Sequence, residues 1–261
     1  MVPNIKSLSL ISCKNLVEVH DSVGRFDKLE ELSLDDCTKL RILPSCLMMK
    51  SLRRFALEGC SSLEKFPNIS REMKSLNALD LTQTAICELP LSFENLTGLK
   101  ALQFGNNLGG VHLRSSIYKL QHIEHLFIGG DVIFLKDVEI DRQPQCNSNE
   151  GFSNVFPSLN WLSLSSFKIR SQIDFILTIC CSHTLERLTI THSNVATLPE
   201  SISRLESLEW LEIWDCNEFR DIPRLPRSIR EVDLLDCDSL DSSSSTKLFL
   251  QVSLSLSLKV I

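Results

Sequence analysis

One phrase returns along this chain at intervals of 23 or 24 residues, and a chain built that way is not free to fold as an ordinary globule. Counting from Ile5, Leu29, Leu52, Leu76, Leu99 and Ile123, and again from Leu159, Leu185, Leu208 and Ile229, the phrase is apolar, two variable residues, apolar, one variable, apolar, two variable, then a small residue. Leu29, Leu32, Leu34, Cys37, Leu40, Leu43 and Pro44 make one clear copy, and Leu52, Phe55, Leu57, Cys60, Leu63, Phe66 and Pro67 make the next. A unit this short cannot bury its own apolar face, whereas a stack of such units buries a continuous core between neighbours.

Period and phrase are those of the leucine-rich repeat, which predicts an α/β solenoid of about ten repeats with a parallel β-sheet on its concave face. Each repeat opens with a short strand in which alternate residues such as Leu32 and Leu34 point inward and Ser33 points out. The stretch that follows, Leu40 to Leu47 for example, returns along the convex side and closes the same core. Pro44, Pro67, Pro90, Pro199 and Pro223 recur on that leg, where no proline N–H is needed. The repeats run from about Ile5 to Leu240, so residues 1–241 are expected to form one solenoid and residues 242–261 a separate tail. That tail is Ser-rich and then alternates Val252, Leu254, Leu256, Leu258 and Val260, which reads either as a terminal strand or as an end foreign to the fold.

A net charge of −6 and a pI of about 5.6 argue against nucleic acid or an anionic membrane as the main partner. Met1 to Ser7 lacks the apolar run of a signal peptide, and no stretch approaches the roughly 18 apolar residues a membrane span requires. The expected location is therefore the cytoplasm, or nucleus and cytoplasm together. The sequence contains no phosphate-loop, H-E-x-x-H or G-x-S-x-G motif. No catalytic residue, cofactor-binding residue or metal ligand is assigned, and the chain is expected not to be an enzyme.

Ten cysteines invite a disulfide or zinc reading, but their spacing speaks for a structural one. Cys13, Cys37, Cys60, Cys216 and Cys237 occupy the ninth position of their repeats, a slot held elsewhere by Thr84, Asn107, Asp131 and Ser193. There the chain turns inward after the strand, and a small side chain that can hydrogen-bond the backbone satisfies groups that burial would otherwise strand. Zinc sites need close pairs of ligands; Cys180, Cys181 and His183 come nearest and lack a second pair. The ladder thiols are expected to be reduced, metal-free and shielded.

Two departures from regularity point to function. Between Ile123 and Leu159 the interval stretches to 36 residues, and the polar segment 129–155 reads as an exposed inserted loop, either a binding element or a tolerated surface insertion. The outward strand positions, the third, fifth and seventh of each repeat, hold small or polar residues early on, such as Ser7, Ser9, Ser33, Asp80 and Gln103. Later they hold His125, Phe127, Trp161, Trp210 and Trp214, which include all three tryptophans of the chain. Large apolar groups on an otherwise polar face mark an interaction site, here a partner-binding set bordered by the inserted loop, or a face packed against a further C-terminal segment.

The phrases Cys13-Lys-Asn-Leu-Val-Glu-Val-His20, Leu57-Glu-Gly-Cys-Ser-Ser-Leu-Glu-Lys-Phe-Pro67, Leu79-Asp-Leu-Thr-Gln-Thr-Ala-Ile-Cys-Glu-Leu-Pro90 and Leu225-Pro-Arg-Ser-Ile-Arg-Glu-Val-Asp-Leu-Leu-Asp-Cys-Asp-Ser-Leu240 resemble plant intracellular immune receptors of the TIR-type nucleotide-binding leucine-rich-repeat class (TIR-NBS-LRR). The resemblance covers nearly all of residues 1–240. It implies protein recognition and autoinhibition in plant disease resistance: sensing of a pathogen effector or a guarded host protein, coupled to the nucleotide-binding domain of the parent receptor. In such receptors early repeats restrain that domain and later repeats contact the effector. The TIR and nucleotide-binding domains are not in this sequence, so their chemistry is not assigned to it. A self-standing repeat adaptor that scaffolds a signalling complex is the alternative reading.

Overall fold

The computed structural model describes residues 4–105, 111–113, 115–130, 132–134, 155–167, 170–180 and 183–252. The chain forms two compact units, Met1–Ile123 with Val132–Gly151, and Glu124–Asp131 with Phe152–Ile261. In the first unit, Ser7–Ser9 (β1), Glu31–Ser33 (β2), Arg54–Ala56 (β3), Ala78–Thr82 (β4) and Ala101–Gly105 (β5) pair in parallel. Leu8, Leu32, Phe55, Leu79 and Leu102 stand opposite one another in consecutive strands. In the second unit the same is true of His125–Gly129 (β6), Trp161–Ser165 (β7), Arg187–Thr191 (β8), Trp210–Trp214 (β9) and Glu231–Leu235 (β10). Strand number thus equals repeat number. These are the strands of a leucine-rich-repeat solenoid, with few helices.

Register fixes burial. The fourth and sixth residues of the second to ninth repeats, such as Leu32 and Leu34, Leu79 and Leu81, or Leu211 and Ile213, are buried in both units, while Leu8, Leu10 and Leu234 of the end repeats are half-buried. The third, fifth and seventh face away from that core, because side chains alternate along a strand. In unit one Phe66 and Phe93 of the return legs join Phe55 of β3, with ring centroids 6.1 Å apart for Phe55 and Phe66 and 5.6 Å apart for Phe66 and Phe93. Those legs tighten into 3₁₀ turns at Asp21–Arg25, Leu91–Asn95 and Ser115–Lys119, as unit two does at Glu200–Arg204. Pro90 and Pro199 lead into two of them with extended backbone, where their fixed φ fits.

The inward turn after each strand rests on a device the repeat phrase does not spell out. Its eighth residue takes a left-handed backbone: Ser12 (φ 58°), Asp36 (59°), Gln83 (57°), Ser166 (62°), His192 (51°), Asp215 (54°) and Asp236 (52°). Short polar side chains tolerate that conformation best, which accounts for most of these residue types. Gly59 fills the slot at φ 73°, and a Cβ there would lie 2.5 Å from Oδ1 of Asp36.

Three expectations change. The inserted segment is not loop from its start: Gly129 completes β6, and Val132–Phe134 pairs in parallel with Val111–Leu113. Apolar β-branched residues at 132 and 133 suit a strand, and the polar stretch 135–154 lies outside the described residues. The tail opens as a helix, Ser242–Val252, with the Asp241 carboxylate accepting the backbone N–H of Ser244 at 2.8 Å as its cap. Leu248 on that helix is buried, and Gln251 accepts the N–H of Leu225 at 2.9 Å, so the helix bonds to the return leg of the ninth repeat. The alternation from 253 onward lies outside the described residues. Finally Thr189, the fifth residue of its repeat and therefore on an outward position, is buried for a reason given next.

Candidate protein-recognition face

On the outward side of unit two the third positions of five strands form one row. His125 stands opposite Trp161, Trp161 opposite Arg187, Arg187 opposite Trp210 and Trp210 opposite Glu231. The imidazole of His125 meets the indole of Trp161 edge-on at 5.6 Å. The guanidinium carbon of Arg187 lies 5.2 Å from the Trp161 ring centroid and 5.7 Å from that of Trp210, so one cation sits between two aromatic faces.

A second row fixes the first. Trp161 Nε1 donates to the hydroxyl of Thr189 at 3.1 Å, and that hydroxyl donates to Glu212 Oε2 at 2.7 Å. Glu212 Oε1 in turn lies 3.5 Å from Nε of Arg187. Indole, hydroxyl, carboxylate and guanidinium thus close a ring of contacts that holds Trp161 in one orientation while leaving it 38% exposed. Phe127 stands opposite Ser163 on the fifth-position row, and Trp214 lies on the seventh-position row between Thr191 and Leu235. All five members of the partner-binding set lie in unit two, half-buried or exposed. His125 and Trp161 touch, Trp210 joins them through Arg187, and Phe127 and Trp214 stand apart on other rows.

The ninth-position residues do a different job. Cys37 Sγ donates to the carbonyl of Leu10 and Cys60 Sγ to that of Leu34, both at 3.1 Å, while Cys237 Sγ reaches Ile213 O at 3.5 Å and Cys216 Sγ reaches Ile190 O at 3.8 Å. Each bond runs to the sixth residue of the preceding repeat. Ser193 accepts the N–H of Phe167 at 3.1 Å, and Thr84 donates within its own repeat to Leu81 O at 2.8 Å. Burial pushes the Cys60 thiol up to about 12 and that of Cys216 to about 11, so both stay protonated near neutrality. The Cys13 thiol, in the first repeat, is exposed, against the expectation of a shielded ladder, and Cys87 on a return leg is exposed too. Asn107, Asp131 and Cys181 lie outside the described residues. Among the described residues no group of three His, Cys, Asp or Glu side chains could hold a metal.

With face and ladder in place, comparison with known proteins supplies the deciding observation: the family model described as RPS4B-like disease resistance protein, leucine-rich repeats, matches residues 48–253. The chain belongs to the RPS4B-like disease-resistance leucine-rich repeats. It is 30% identical to TMV resistance protein N of Nicotiana glutinosa, across 90% of this chain and 24% of that protein. It is 28% identical to disease resistance-like protein DSC1 of Arabidopsis thaliana, across 85% of this chain and 15% of that one. The chain therefore spans about a quarter or less of these relatives. A leucine-rich-repeat protein of Leptospira interrogans shares the fold, with a TM-score of 0.55 at 17% identity over 98% of this chain and 72% of its own. The expected kinship with plant disease-resistance proteins holds.

In this RPS4B-like repeat array the sequence pattern exposed the tryptophans and missed Arg187, Thr189 and Glu212. Arginine, threonine and glutamate on outward strand positions look like ordinary solvated residues. The available signal was register: all three fall on third and fifth positions of strands flanking a tryptophan. Among the described residues no helix is long and apolar enough to cross a membrane.

Proposed function

We propose that this chain is the recognition and autoinhibition module of an intracellular plant immune receptor, non-enzymatic itself, which senses a pathogen effector or a guarded host protein in the cytoplasm. The observation that carries the reading is the ring of Trp161, Thr189, Glu212 and Arg187 on the outward face of unit two. A preorganised aromatic and arginine cluster on a sheet face has the composition of a binding hot spot and a low ordering cost. The outward face of unit one, small, polar and acidic, suits a restraining contact with the nucleotide-binding domain of the parent receptor. Family membership in disease-resistance repeats supports the biological setting.

The experiment is recognition-dependent cell death in the receptor carrying Trp161→Ala with Trp214→Ala, beside a control carrying Ser33→Ala with Gln103→Ala. Truncating a hot-spot Trp costs more than about 2 kcal/mol of affinity, over tenfold, so the tryptophan variant loses the response and the control keeps it. A tryptophan variant that accumulates normally and responds at wild-type strength refutes the reading.

A further inference from the structure

Arg187 shows what the face of unit two does with a cation. It places the charge between the indoles of Trp161 and Trp210 and sets a carboxylate, Glu212, on the next strand. One strand further the parallel register sets two more carboxylates beside Trp210, which already shares the Arg187 cation, and Trp214, which among the described residues has none. Trp210 stands opposite Glu231, Glu212 opposite Asp233 and Trp214 opposite Leu235. Neighbouring strands run about 4.8 Å apart, so two indoles and two further carboxylates share the outward surface of β9 and β10. Arg230, the nearest cation in sequence, is held by Glu209 at 3.0 Å. Among the described residues neither Glu231 nor Asp233 has an ion-pair partner. Both are half-buried, and the neighbouring Leu235 is 45% exposed.

We propose that the β9–β10 end of this face takes a basic segment of a protein partner, with a lysine or arginine side chain laid over Trp210 or Trp214 and met by Glu231 and Asp233. This rests on the recognition reading above and names the chemistry of the ligand. Charge complementarity selects the occupant. An acidic segment would bring carboxylates against Glu231 and Asp233, and a purely apolar one would bury two carboxylates without a counter-ion. A basic side chain gains both the ring faces and the carboxylates, as Arg187 does within the chain.

The test is selection of random short peptides displayed against the full chain, followed by fluorescence anisotropy with the best peptide. The expected winners carry Lys or Arg. Glu231→Gln with Asp233→Asn weakens them about tenfold, and Glu64→Gln with Glu200→Gln, the same charge loss on return legs, leaves them unchanged. A Glu231→Lys variant should prefer the same peptide with its basic residue replaced by Glu. Circular dichroism melts confirm that each variant is folded. Winners that need Trp161 or Trp214 but carry no cation, or that ignore Glu231 and Asp233, overturn the basic-ligand inference while sparing the aromatic face. Winners indifferent to every tryptophan, or no winners, sink both.

Discussion

The two units share a strand grammar and differ in what they show to a partner. In both, the fourth and sixth residues of the inner repeats fill the core and the eighth turns the chain inward through a left-handed backbone. Outward, unit one shows Ser7, Ser9, Ser33, Ala78 and Gln103 with Asp35, Glu58 and Asp80, whereas unit two shows His125, Phe127, Trp161, Trp210 and Trp214. Since the backbone is set by rows the two units hold in common, the outward rows are free to vary without refolding. Recognition can then be rewritten one strand position at a time.

The comparison breaks first if the shared rows are unequal in weight. Leu57→Ala and Leu81→Ala in unit one and Leu211→Ala in unit two, all residues of the buried core, should each cost about 2–5 kcal/mol in urea melts. Ser33→Ala should stay within about 0.5 kcal/mol. Equal losses at inward and outward positions would mean the strand phase is wrong.

A sharper contrast follows between two outward hydroxyls. Ser33 has a counterpart in Thr189, but the latter accepts from Trp161 and donates to Glu212. Thr189→Val should therefore cost about 1–3 kcal/mol by leaving those two groups without their partner. Trp161→Ala, which loses the stacking on Arg187 and His125, should cost less, about 0.5–1.5 kcal/mol.

The thiols give a pH test in both units. In the unfolded chain a cysteine titrates near its ordinary value of 9.0, while Cys60 and Cys216 in the fold are raised to about 12 and about 11 by burial. Stability from these neutral thiols is complete below about pH 9 and is lost as pH rises toward the folded values. Chemical unfolding at rising alkaline pH should show that decline, and Cys60→Ser should shift its onset. A thiol reagent at neutral pH should reach Cys13 and Cys87 first and Cys37, Cys60 and Cys216 only on unfolding.

The smallest effect concerns the acidic face of unit one. Burial, then Asp80, Asp35 and Asp36, raise the carboxyl of Glu58. A raised carboxyl costs stability above its folded pKa and nothing once protonated, so Glu58→Gln should raise the melting temperature slightly at pH 7 and leave it unchanged in acid.

How much of this was legible in the sequence depends on which row carried it. The core leucines, the strand phase and the outward tryptophans follow from counting, because a repeat forces each position to one side of the strand. The left-handed eighth position did not, since Ser, Asp, Gln, His and Gly share no side-chain chemistry, only tolerance of one backbone conformation. The helix Ser242–Val252 was masked by its four serines, poor helix formers that the Asp241 cap compensates. The contacts of Arg187 needed register, because its three partners come from strands on either side of it. A fifth-position threonine could be called exposed on periodicity alone, and only the neighbouring strands show why it is not.

The claim that fold and recognition are written on opposite sides of the same strands is tested most directly by partner affinity of the Trp161→Ala with Trp214→Ala variant, measured per folded molecule as set by its urea midpoint. The account predicts more than tenfold weaker binding at a midpoint close to that of the parent chain. Unchanged affinity, or a loss of binding that only tracks unfolding, would contradict it.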